Sequence, residues 1–124
     1  MLKDIDCSAD IEVLVNSFYD KIKTNAILGY IFSDIAKVNW ETHLPGMYAF
    51  WGSILLNEHS FSGNPMQKHL ELSKLTKLTD REFSEWISLF TQTVDGLYAG
   101  EKAEEAKLRA TNIAHIMLSK ISKE

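Results

Sequence analysis

The stretch Trp40-Glu41-Thr42-His43-Leu44-Pro45-Gly46-Met47-Tyr48-Ala49-Phe50-Trp51-Gly52-Ser53-Ile54-Leu55 places Trp40, His43, Leu44, Met47, Trp51, Ile54 and Leu55 at the spacing of an α-helix. Counted from His43, the residues Met47, Phe50, Trp51 and Ile54 follow at offsets of four, seven, eight and eleven. An imidazole therefore shares a face with side chains suited to filling a hydrophobic slot. Pro45 removes the amide that would close on the Glu41 carbonyl, so either the helix kinks there or its regular part begins later.

The same period recurs on both sides. Ser8 is placed to cap a first helix, with Asp10 and Glu12 near its positive end and Ile11, Leu14, Val15, Phe18, Tyr19 and Ile22 along one stripe. Gly29 interrupts the next stretch, where Tyr30, Ile31 and Phe32 form a small apolar cluster before a short helical segment from Ser33 to Lys37. Residues 57 to 64 lack helical period, and then Asn64 as cap and Pro65 in the first position open a short helix carrying His69. Thr79-Asp80-Arg81-Glu82 is a capping box, and the helix it opens aligns Phe83, Trp86, Ile87, Phe90, Val94 and Leu97. Gly100 stands where a left-handed terminator is expected. From Glu101 a last helix is expected to bury Ala103, Ala106, Ala110, Ile113, Ala114, Met117 and Ile121, its small residues permitting close helix contact. No alternating β-branched run or internal repeat interrupts this pattern, and the fold class is all-α.

Length and charge narrow the function. The 124 residues suit one domain, residues 1–124, with one core. Lys and Arg number 13 against 17 acidic residues, a formal charge of −4, so no basic field exists to hold nucleic acid or an anionic membrane. The lone Cys7 excludes disulfide scaffolds, zinc ribbons and iron–sulfur clusters, and a reducing cytoplasm fits it. The N-terminal residues lack the apolar core of a signal peptide, and no apolar run approaches a membrane span.

Three apolar stripes each carry a hydrogen-bonding ring: the phenol of Tyr19, the imidazole of His43 and the indole of Trp86. Taken singly, His43 serves as readily as a core histidine, and Tyr19 and Trp86 are more often plain core aromatics. Together they are an unusual way to fill a helical core, which Leu and Ile fill better. His69 stands beside no carboxylate cluster or second histidine at ligand spacing, against a caged zinc or di-iron centre, though a surface histidine would look the same. Haem remains open, since a porphyrin supplies four nitrogens and asks the protein for one axial imidazole and an apolar slot. On that reading His69 and His43 stand on opposite sides of a haem pocket. Met47, one turn beyond His43, is expected to face the ligand side, where its thioether either narrows access or moves aside, and Lys68 is either a partner of a haem propionate or, more commonly for lysine, solvated. His59 and His115 are expected to be solvated.

In combination these segments resemble the third group of the truncated haemoglobins. The resemblance runs through Phe18-Tyr19, Leu28-Gly29-Tyr30-Ile31-Phe32, Trp40-Glu41-Thr42-His43, Phe50-Trp51, Gly63-Asn64-Pro65-Met66-Gln67-Lys68-His69-Leu70 and Phe83-Ser84-Glu85-Trp86. The other two groups are typified by glycine pairs, and no Gly-Gly occurs here. The resemblance implies a two-over-two globin sandwich holding haem b. It makes His69 the proximal ligand, puts Tyr19, His43 and Trp86 on the distal side, and wedges Phe32 against the porphyrin, with Met47, Trp51 and Lys68 completing the cofactor-binding set. The activity it implies is binding of oxygen, nitric oxide or carbon monoxide. Two alternatives stand beside a simple binder. One is an enzyme that oxidises nitric oxide or cleaves peroxide with a separate reductase, since the chain carries no flavin or nicotinamide domain. The other is a haem-free helical interaction module.

Overall fold

A computed structural model describes residues 2–31, 40–56 and 80–122. Among these residues four helices follow in order: α1 (Ser8–Lys23), α2 (Trp40–Leu55), α3 (Asp80–Leu97) and α4 (Glu101–Ser122). Helix α1 packs on both α2 and α3, α4 packs chiefly on α3, and α2 touches α4 more lightly.

The stripe read on α1 is the buried one: Ile11, Leu14, Val15, Phe18, Tyr19 and Ile22 all face inward. Burying each large aliphatic side chain contributes roughly 1.5–3 kcal/mol. On α4 the buried positions include Ala103, Ala106, Ala110, Ala114 and Met117, and small side chains at this spacing let α4 approach α3 closely. On α3, Phe83, Phe90 and Val94 are buried as read, joined by Thr93, whose hydroxyl donates to the Leu89 carbonyl at 2.7 Å. Tyr30 departs from the expected cluster and is exposed, whereas its neighbour Ile31 is buried.

One helix end differs from expectation, and an open reading at another is decided. Ser8 is the first residue of α1, not its cap; Cys7 holds the cap position without a side-chain cap bond. Helix α2 begins at Trp40 and runs through Pro45, so the proline lies inside the helix and does not delay its start. Helix α3 is described from Asp80, and the Thr79 cap of the expected capping box lies outside the described residues. So do the segment from Ser33 to Lys37 and the short helix carrying His69.

After α1 the chain turns on Asn25. Its Oδ1 accepts from the amides of Ile27 (2.8 Å) and Leu28 (2.9 Å), and its Nδ2 donates to Glu85 of α3 at 3.1 Å. Gly29 then passes so near the end of α1 that a Cβ would lie 2.9 Å from the Lys23 carbonyl oxygen.

The N-terminal residues form a strap that closes the other end of the molecule. Ile5 is buried, the Ala99 amide donates to the Lys3 carbonyl at 2.9 Å, and the Lys3 ammonium bridges Asp6 (2.9 Å) and Asp10 (2.5 Å). Gly100 precedes α4 with φ 141°, a conformation open to glycine, and has no side chain with which to cap the helix. Asp4 supplies the cap from far along the chain: its carboxylate accepts from the amides of Lys102 and Ala103, both at 2.9 Å. A Cβ on Gly100 would lie 2.5 Å from Asp4 Cγ. Burial pushes the Asp4 carboxyl up, but the amides of Lys102, Ala103 and Ile5 together outweigh it and hold the group below its ordinary value.

Gly100→Ala is expected to destabilise the fold by about 1–3 kcal/mol in urea unfolding, through both the strained φ and the collision with Asp4. Asp4→Ala is expected to cost about 1 kcal/mol near neutral pH. Because the folded carboxyl titrates below the free one, its contribution is complete above about pH 4 and is lost as pH falls through the lowered value. The gap in unfolding midpoint between Asp4→Ala and the parent should therefore narrow in acid; a gap independent of pH would show that the charge on Asp4 contributes nothing.

Candidate functional site

Consecutive residues on a helix point about 100° apart, and on α1 this sends two buried rings to different neighbours. Phe18 meets α3, with ring centroids 5.6 Å from Trp86 and 5.1 Å from Phe90, both edge-on. Tyr19 meets α2, edge-on to His43 at 5.1 Å and to Trp40 at 5.3 Å. Trp40 and His43 are themselves edge-on at 5.6 Å, as their spacing of three residues on one helix permits. Three rings from two helices thus form a closed triangle, each pair contributing about 0.5–1.5 kcal/mol beyond its buried area. The outer member is braced in turn: the Lys23 ammonium lies 4.6 Å from the Trp40 ring centroid.

A second aromatic group lies between α2 and α3. Trp51 stacks on Phe90 at 4.9 Å, and Phe90 stacks on Trp86 at 5.9 Å. Phe18 and Tyr19, 5.1 Å apart, join this group to the triangle. Met47 lies on the α2 stripe between His43 and Trp51, partly buried against the core.

Burial alone pushes the Tyr19 phenol well above the ordinary tyrosine range, so it stays protonated and keeps its proton available for donation at physiological pH. The His43 ring is held by Tyr19 and Trp40, and its Nε2 is buried.

Of the residues singled out from sequence, Tyr19 and His43 meet directly, Trp51 and Trp86 meet through Phe90, and Met47 shares their helix face. Phe32, Lys68 and His69 lie outside the described residues, as does His59; His115 is exposed, as expected. Sequence reasoning placed Trp40 on the apolar stripe without a site role, and missed Lys23 as its brace and Phe18 and Phe90 as the rings that link Tyr19 to Trp51 and Trp86. The signal for Trp40 was its spacing of three residues from His43. Asp6, Cys7 and Asp10 also bring ligand-type atoms within 4.8 Å of one another, but the Lys3 ammonium already pairs with both carboxylates.

The crystal structure of group III truncated hemoglobin from Campylobacter jejuni matches 98% of this chain and 95% of its own with a TM-score of 0.84 at 27% identity. The group 3 truncated hemoglobin ctb of Campylobacter jejuni is 32% identical over 105 residues, which cover 82% of this chain and 80% of the relative. No family profile matches the chain. The chain belongs to the group 3 truncated hemoglobins.

Membership implies a haem cofactor, and the described residues fit one wall of such a site. A protonated phenol and a buried imidazole nitrogen sit beside indole and phenyl rings, with no carboxylate among them. An alkaline titration followed by tyrosine ultraviolet absorbance should show two phenols, Tyr19 and Tyr98, ionising above the ordinary tyrosine range, and Tyr19→Phe should remove one of them. Late steps unchanged in the variant would assign them to other tyrosines.

Proposed function

We propose that the chain, as one globin-like domain over residues 1–124, binds haem b and holds oxygen or another diatomic gas, releasing oxygen slowly. The observation that carries this reading is the edge-on meeting of Tyr19 and His43 at 5.1 Å in a chain of this family. Haem, when bound, would supply an iron able to take up a diatomic gas, held to the protein through an imidazole. His69 is the proposed axial ligand, with Phe32, Met47 and Trp51 as apolar walls and Lys68 as the partner of a propionate. For that role the His69 imidazole would have to be neutral, with one ring nitrogen free to bind iron.

Tyr19, His43 and Trp86 are the proposed distal residues. The Tyr19 hydroxyl, kept protonated by burial, is the chief donor, the Trp86 indole is the second, and His43 donates or controls access. In a dry pocket a hydrogen bond to a partly negative acceptor contributes about 1.5–3 kcal/mol. Losing it on release slows dissociation roughly ten- to a hundredfold. Oxygen presents a more negative acceptor in such a pocket than carbon monoxide does, so these donors favour oxygen. A cytoplasmic setting agrees with the exposed free thiol of Cys7.

Stopped-flow measurement should find oxygen dissociation several-fold faster or more in Tyr19→Phe; traces identical to the parent would remove Tyr19 as a donor. His69→Ala should fail to give a five-coordinate ferrous spectrum, and a parent-like spectrum from it would move the axial ligand elsewhere.

A further inference from the structure

We propose that Trp40, braced by Lys23, is a positioning residue that fixes the orientation of the Tyr19 phenol relative to the His43 imidazole. Its effect on ligand release rests on the haem reading above; its effect on the two rings does not.

The argument begins with helix spacing. Tyr19 and Lys23 are one turn apart on α1, and Trp40 and His43 are one turn apart on α2, so each helix offers a pair of neighbours on one face. The two pairs meet: Trp40 is edge-on to Tyr19 at 5.3 Å and to His43 at 5.6 Å, and the Lys23 ammonium lies 4.6 Å from the Trp40 ring centroid. Two rings sharing one edge contact retain freedom to turn against each other. A third ring touching both, at interplanar angles of 61° and 83°, removes that freedom.

Trp40 is half-buried at the edge of the core, where packing alone does not hold its ring. Lys23 supplies the missing restraint, because its cation is attracted to the ring face and sits at the C-terminal end of α1, where positive charge is favoured. Trp40 is only partly buried, so its role is not accounted for by filling the core alone. What it touches is the pair of polar-tipped rings on which discrimination between ligands depends.

The test compares the parent with Trp40→Leu, Trp40→Phe and Lys23→Gln, each checked for an intact helical melt. The ring-to-ring nuclear Overhauser contact between Tyr19 and His43 should be strong and single in the parent. In Trp40→Leu it should be lost or accompanied by a second set of His43 resonances, Trp40→Phe should restore it, and Lys23→Gln should weaken it. In haem-loaded protein of equal haem content, oxygen dissociation from Trp40→Leu should change by about threefold or more, with Trp40→Phe close to the parent. A folded Trp40→Leu with the parent's ring contact and the parent's rate overturns the proposal. So does a Trp40→Phe that behaves like Trp40→Leu. Should Trp40→Leu not fold, Lys23→Gln decides: a weakened contact upholds the role and an unchanged one overturns it. If the parent takes up no haem, the function proposed above fails, and the ring contact alone judges Trp40.

Discussion

Helix α1 is buried on two sides, and the adjacent pair Phe18 and Tyr19 is what allows it. One ring turns to α3 and the other to α2, so a single helix both closes the aromatic core and presents a phenol to the neighbouring imidazole. The arrangement ties stability to chemistry. The stack of Trp51, Phe90 and Trp86 holds α2 against α3, and its contact with Phe18 sets where α1 lies. Where α1 lies decides how far the Tyr19 hydroxyl stands from His43.

A buried phenol is costly unless something accepts its proton, and here burial drives the Tyr19 hydroxyl far from ionisation. A core built only for stability would place an aliphatic side chain there. Retention of phenol and imidazole in contact is understandable where a polar ligand is to be held, as the family of this chain implies. The opposite end of α1 is fastened separately. There the strap of residues 2–7 uses Lys3 against Asp10 and Asp4 against the first amides of α4 to fasten the N-terminus to the α3–α4 corner.

Local periodicity made the helices legible, because each buries one stripe and the stripe repeats every three or four residues. The Tyr19 and His43 stripes were visible in the same way, since each residue occupies a position otherwise reserved for apolar side chains. What periodicity does not carry is contact between distant segments. Asp4 caps an amide 98 residues away, and nothing near Gly100 in the sequence announces that its cap comes from elsewhere. Trp40 was legible as a buried-face residue, but its brace by Lys23 depends on how α1 and α2 pack. Pro45 left two readings open because the hydrophobic pattern continues across it; backbone geometry, with α2 running from Trp40 through the proline, decides between them. The Ser8 cap failed for a local reason: the helix begins one residue earlier than a serine cap requires, at Ser8 itself.

The central claim is that these helices enclose a haem held by one imidazole. Titration of the purified chain with hemin, followed by reduction and exposure to carbon monoxide, tests it most directly. The account predicts a sharp Soret band that saturates near about one hemin per chain and shifts on reduction and again on carbon monoxide binding. A spectrum indistinguishable from free hemin at every ratio would contradict it.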